Sequence, residues 1–127
     1  KDRRMGHRKL IFFTDHSDTI STGPVWTAYY FALVAHRAGL EAEVRLAGDA
    51  VDVFKRERTA LSDSSDRLTK HMHEAVDSAL FISACGGSIV KRQLTDADLQ
   101  RWGAVPRELS EILTEVAEGR SELIYLG

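Results

Sequence analysis

The residue type best suited to covalent chemistry occurs once in this chain, as Cys85 in the string Leu80-Phe81-Ile82-Ser83-Ala84-Cys85-Gly86-Gly87-Ser88. A single cysteine cannot form an intramolecular disulfide, which fits a reducing compartment, the cytoplasm, and leaves the thiol for chemistry or for packing. The apolar run over 79–84 predicts a strand covered on both faces, and the glycine pair predicts a sharp turn after it. The thiol is thereby placed at the carboxyl end of a strand, beside backbone N–H groups and the start of the next helical piece. Both favour the thiolate, which is the nucleophile. Lys91 and Arg92 follow within two helical turns, near enough to add positive potential or to hold an anionic substrate, or else to point to water. The alternative for Cys85 is a small hydrophobe that finishes a buried strand.

His16, in Thr14-Asp15-His16-Ser17-Asp18, is the candidate base, because a Cys/His pair needs only proximity in space. It reads equally as a solvent-facing loop histidine, and Asp15 and Asp18 either orient it or cap the following helix. A third polar loop contains Gly48-Asp49. All three loops follow predicted strands, and open parallel sheets bind ligands beyond the carboxyl ends of their strands. Cys85 and His16 are therefore the candidate catalytic residues, and Gly86, Gly87, Ser88, Lys91, Arg92, Asp15 and Asp49 the candidate substrate-binding set. His71 and His73 are two apart on a predicted helix, so they cannot share a metal and are expected at the surface. Neither phosphate-binding glycine pattern occurs, and no metal or cofactor is called for.

The elements that must position these groups follow from periodicity and breakers. Residues 10–13 form a short apolar strand. Gly23-Pro24 opens a helix to about Ala38, apolar on nearly every side and so expected to be buried, with Gly39 as its cap. Residues 43–47 alternate as a second strand, predicted near an edge, and 50–54 make a short helical piece. After the polar loop 62–65, Asp66 caps a helix to about Ser78 whose inner face carries Leu68, Met72, Ala75 and Val76. Beyond Cys85, residues 88–94 form a short helix or turn, Thr95 caps another with Asp98 three residues on, and Pro106 starts a third through Glu118. Residues 123–126 are the last strand. Strands alternating with helices predict a parallel sheet between helical layers. Trp102, in an otherwise polar helix, serves either the sheet or an interface.

A chain of 127 residues that is 43% hydrophobic and 28% charged reads as one globular domain over 1–127, with residues 1–8 a frayed basic terminus. The formal net charge of -2 argues against a nucleic-acid partner. The longest apolar stretch, 24–35, is shorter than the ~20 residues of a membrane helix, and no stretch reads as a targeting segment.

The segments KLIFFT, TGPVWTAYYFALVAHRAGLEAEV, RLAGDAV, LSDSSD and LFISACGGSIVKRQL together resemble the DsrE/DsrF family, small sulfur-relay proteins that include the sulfurtransferase subunits of the Tus system for tRNA thiolation. The strand-ending cysteine with Lys91-Arg92 at matching spacing carries most of the likeness. The family's glycine-bearing basic turn reads Lys91-Arg92-Gln93 here, without the glycine. The resemblance implies a flavodoxin-like three-layer α/β/α fold, a persulfide-carrying role for Cys85, protein sulfur donors or acceptors, and rings of like subunits, trimers or hexamers. Peroxiredoxin-like thiol redox chemistry and a non-catalytic module for ligand binding or assembly are the alternatives, and the same cysteine serves the first of them.

Overall fold

The computed structural model describes residues 8–16, 23–58 and 66–127. Residues 1–7 of the basic start, Ser17, Asp18 and the loop 62–65 lie outside the described residues. Strand β1 (Lys9–Thr14) leads to α1 (Pro24–Arg37), β2 (Ala42–Leu46), a 3₁₀ segment (Gly48–Lys55) and α2 (Arg67–Asp77). Then come β3 (Phe81–Cys85), α3 (Gly86–Lys91), α4 (Asp96–Arg101), β4 (Ala104–Arg107), α5 (Leu109–Ala117) and β5 (Ser121–Tyr125). The five strands pair in parallel in the order β4-β3-β2-β1-β5, an α/β fold of three layers.

The period of two along each strand divides the sheet into unlike faces. One carries Phe12, Val44, Leu46, Ile82 and Ala84, which join buried residues of α1 and α2 in the main apolar core. The other carries Lys9, Glu43, Arg45, Ser83 and Arg107 and is covered by α5, whose Glu115 reaches Lys9 and Arg107. Asp66 caps α2 as expected, accepting from the Thr69 N–H at 3.0 Å, and Thr95 and Asp98 form a reciprocal capping box on α4.

Four expectations are corrected. Strand β2 is central rather than near an edge, and all five of its residues are buried. Its alternating Glu43 and Arg45, which suggest a wet face, are met instead by charged partners under α5. Pro106 lies inside β4 and does not start a helix, which begins only at Leu109. An edge strand tolerates proline because the missing N–H has no neighbour to reach. Helix α1 is buried on one side only, and Tyr30, Phe31 and Val34 are exposed on the other. His73 is buried and half-buried His71 is packed, not at the surface: their opposite directions on α2 carry His71 onto Trp26 and Tyr30 and His73 onto Trp102. Trp102 itself is fully buried and donates from Nε1 to the Arg56 carbonyl at 2.9 Å.

Candidate functional site

Helix α3 follows β3 without a linker, so Cys85 is at once the last residue of the strand and the extended residue preceding the helix. The Ser88 hydroxyl and the backbone N–H groups of Ser88 and Gly87 act on its half-buried sulfur, which forms no side-chain capping hydrogen bond to the helix. Burial pushes the thiol up, but these three groups and the nearby Arg45 charge outweigh it and hold Cys85 below the ordinary thiol value. At six residues α3 is too short for a strong macrodipole, and the local N–H groups act on the sulfur. A methyl added at Gly87 would stand 4.0 Å from Sγ, ordinary contact, so its glycine is not a steric requirement of the thiol.

The three predicted loops do converge. The Gly48 N–H donates to the Ser88 hydroxyl oxygen at 2.8 Å, joining the loop after β2 to α3. Gly48 has φ +57, and a Cβ there would lie 2.7 Å from the Asp15 carbonyl oxygen, so glycine is required where the loops after β1 and β2 touch. Asp15 also accepts from the Tyr125 hydroxyl at 2.8 Å. His16 is exposed, its Nε2 3.4 Å from the Asp15 carboxylate and its backbone N–H on the Thr14 hydroxyl. The groups acting on the Cys85 sulfur come from Ser88, Gly87 and Arg45. Arg92 forms a two-point pair with Asp52, which lowers that carboxyl below its ordinary value, and Asp49 adds to the negative potential around Arg92. Lys91 is exposed at the end of α3.

The cation coupled to the thiol is thus Arg45, reached from the neighbouring strand rather than along the chain. It belongs to a buried polar cluster on the α5 face. Glu43, fully buried, accepts from the Ser83 hydroxyl at 2.5 Å and from Arg107 at 3.1 and 3.2 Å, and lies 2.9 Å from the Lys9 ammonium. Glu115 meets Arg107 at 2.9 Å, Lys9 at 3.3 Å and the Ser121 hydroxyl at 2.8 Å. Burial raises the Glu115 carboxyl, yet these partners carry it down to about 2. Sequence reasoning missed this cluster; its one signal was the charged alternation of Glu43 and Arg45. A cleft of about 480 Å³ lined by Arg8, Lys9, Glu41 and Arg120 opens at the opposite end of the strands, away from Cys85. Among the described residues no group of three or more His, Cys, Asp or Glu is placed to hold a metal, and no helix is long and apolar enough to cross a membrane.

A half-buried thiol at the carboxyl edge of an all-parallel five-stranded sheet, held below its ordinary value by the groups around it, marks a small α/β protein with a cysteine at its ligand-binding edge. A profile of the DsrE/DsrF-like family matches residues 9–123, and the chain belongs to that family. No curated protein matches it. Among solved structures it is similar to the ychN protein from E. coli, with TM-score 0.67, 11% identity and coverage of 94% of this chain and 99% of the other. It is also similar to the conserved protein of unknown function BT1422 from Bacteroides thetaiotaomicron, with TM-score 0.65, 18% identity and coverage of 93% and 94%. A third is the protein of unknown function MTH1491 from Methanobacterium thermoautotrophicum, with TM-score 0.58, 15% identity and coverage of 93% and 98%. At these identities the likeness establishes a common fold.

Proposed function

We propose that Cys85 carries sulfane sulfur as a persulfide, which makes this chain a sulfur carrier or sulfurtransferase of intracellular sulfur metabolism. The observation that carries the reading is the placing of the sulfur: it ends β3 at the start of α3, where the Gly87 and Ser88 N–H groups, the Ser88 hydroxyl and Arg45 all favour an anion, and the thiol is half-exposed to a partner. Membership of a sulfur-relay-type family supports it. One cysteine suffices, because a carrier takes sulfane sulfur from an external persulfide, releasing the donor as a thiol, and yields it to an external thiolate, regenerating its own thiol. A free thiol persists in a reducing compartment, so cytoplasmic residence is part of the same reading.

Intact-mass analysis after treatment with a small organic persulfide tests it. The expected result is a gain of one sulfur atom on the native chain and none on Cys85→Ser. A native chain that gains no sulfur refutes the reading; gain of oxygen alone, under peroxide, assigns the cysteine to thiol redox chemistry. We also propose self-association, since Leu109, Leu113, Val105 and Val90 stand exposed on the elements around the cysteine. Sedimentation equilibrium should find a trimer or hexamer; a monomer at micromolar concentration refutes this.

A further inference from the structure

Arg45 is a buried cation with a donor in reserve. The residue is 2% exposed, its Nη1 donates to the Arg107 carbonyl at 2.5 Å, and its buried Nε has no hydrogen-bond partner. An unmet N–H on a buried guanidinium is expensive, and such groups in native proteins call for an explanation. Strand register gives its direction. Arg45 pairs with Ser83 across β2 and β3, and Arg107 pairs with Cys85 across β3 and β4. A side chain that leaves β2 opposite Ser83 and reaches the carbonyl opposite Cys85 crosses β3 on the face that Ser83 and Cys85 share.

Charge balance points the same way. Among the described residues this face holds three cations, buried Arg45 and Arg107 and half-buried Lys9, and two carboxylates, buried Glu43 and half-buried Glu115. Both carboxylates are taken by Lys9 and Arg107, not by Arg45. Glu111, 3.2 Å from Arg107, and Glu108, whose carboxylate lies over Gly86, are exposed and screened by water. Of the negative charges that act on Arg45, Cys85 comes first, ahead of Glu43, which is hydrogen-bonded to Ser83 and Arg107, and of exposed Glu108.

We propose that Arg45 is the anion-binding half of the Cys85 site, its spare Nε N–H receiving the negatively charged outer sulfur of a Cys85 persulfide. This rests on the reading of Cys85 as a sulfur carrier and names the species the site is built to hold. In loading, the Cys85 thiolate attacks the outer sulfur of a donor persulfide, R–S–SH. The Sγ–S bond forms as the donor S–S bond breaks, and the departing R–S⁻ takes the proton of the transferred sulfur. The products are R–SH and Cys85–S–S⁻, with no external oxidant or reductant.

The test compares the native chain with Arg45→Gln and Arg45→Lys, each checked by thermal melting. The first measurement is the rate of Cys85 alkylation by anionic iodoacetate divided by that by neutral iodoacetamide; the quotient cancels the thiolate fraction and reports affinity for negative charge. It should fall about tenfold in Arg45→Gln, with Arg45→Lys between the two. The second is the pH midpoint for iodoacetamide capture of the persulfide-loaded chain, which should rise by about one unit in Arg45→Gln, again with lysine between. A folded Arg45→Gln that keeps both native values overturns the proposal. Should the glutamine variant fail to fold, Arg45→Lys decides, because a lysine ammonium cannot present the Nε donor, and unchanged values there overturn it too. Failure of the native chain to load sulfur sinks the carrier reading and the outer sulfur with it, whereas the alkylation quotient on unloaded protein judges Arg45 alone.

Discussion

Replacing Ser88 by alanine removes the one side-chain hydroxyl that acts on the Cys85 sulfur and leaves the neighbouring backbone N–H groups in place. The hydroxyl has two tasks: it helps hold the thiol below its ordinary value and it accepts from the Gly48 N–H at 2.8 Å. One neighbouring hydroxyl stabilises a half-buried anion by about 1 kcal/mol. That corresponds to a rise of about one pH unit in the Cys85 midpoint. Because a more basic thiolate is also a better nucleophile, the plateau rate should increase about threefold. The orphaned Gly48 N–H should lower folding stability by about 1 kcal/mol. The assay is iodoacetamide alkylation followed from acid to alkaline pH, with a parallel melt. A lowered melting temperature with an unmoved midpoint would mean that the hydroxyl only fastens Gly48, and the account of thiol activation would fail.

Glu115→Gln should remove an acid-sensitive restraint on α5. The folded carboxyl titrates at about 2, well below the ordinary carboxylate range, so its contribution is complete above that range and disappears as pH falls from about 5 toward 2. The variant should be about 2 kcal/mol less stable at pH 7, with a flatter loss of stability over that window; equal acid slopes in the two proteins would contradict this. Arg92→Ala should leave the alkylation profile unchanged, because its guanidinium is committed to Asp52, and a raised midpoint would restore it as the thiol's cation. His16→Ala should likewise leave the midpoint in place, since its exposed ring lies against Asp15; an upward move would make it a partner of the thiol. Trp102→Ala should cost about 3–5 kcal/mol by chemical denaturation, since it opens the core and strands the Arg56 carbonyl. A loss under about 1 kcal/mol would show that the core closes over the gap.

Elements whose causes are local were legible from sequence. Apolar runs at 10–13 and 79–84, the caps Asp66 and Thr95, and the stops Gly39 and Gly119 each depend on a few adjacent residues, and the structure has strands, caps or helix ends there, save that the strand of the second run starts only at Phe81, after a turn with Ala79 at φ 57. Strand β4 was not legible, because four residues containing a proline look like a helix start until the sheet supplies a neighbour. The centrality of β2 was hidden for a related reason. Charge alternation reports that one face is polar, but only the fold says whether water or a buried ion-pair cluster meets that polarity.

The site divides along the same line. Cys85, Gly86, Gly87 and Ser88 are consecutive, so strand end, turn and donors could be read together, and the loops containing Asp15 and Gly48 could be placed on the same edge from the parallel topology alone. Lys91 and Arg92 drew attention as cations near the cysteine in sequence, yet Arg92 pairs with Asp52 and Lys91 points away from the core. The cation that acts on the sulfur is forty residues upstream and one strand away, brought there by the β2–β3 register and kept dry by α5. Proximity across a sheet, and not along the chain, decides which charge a thiol experiences, because the buried neighbour is least screened by water and salt.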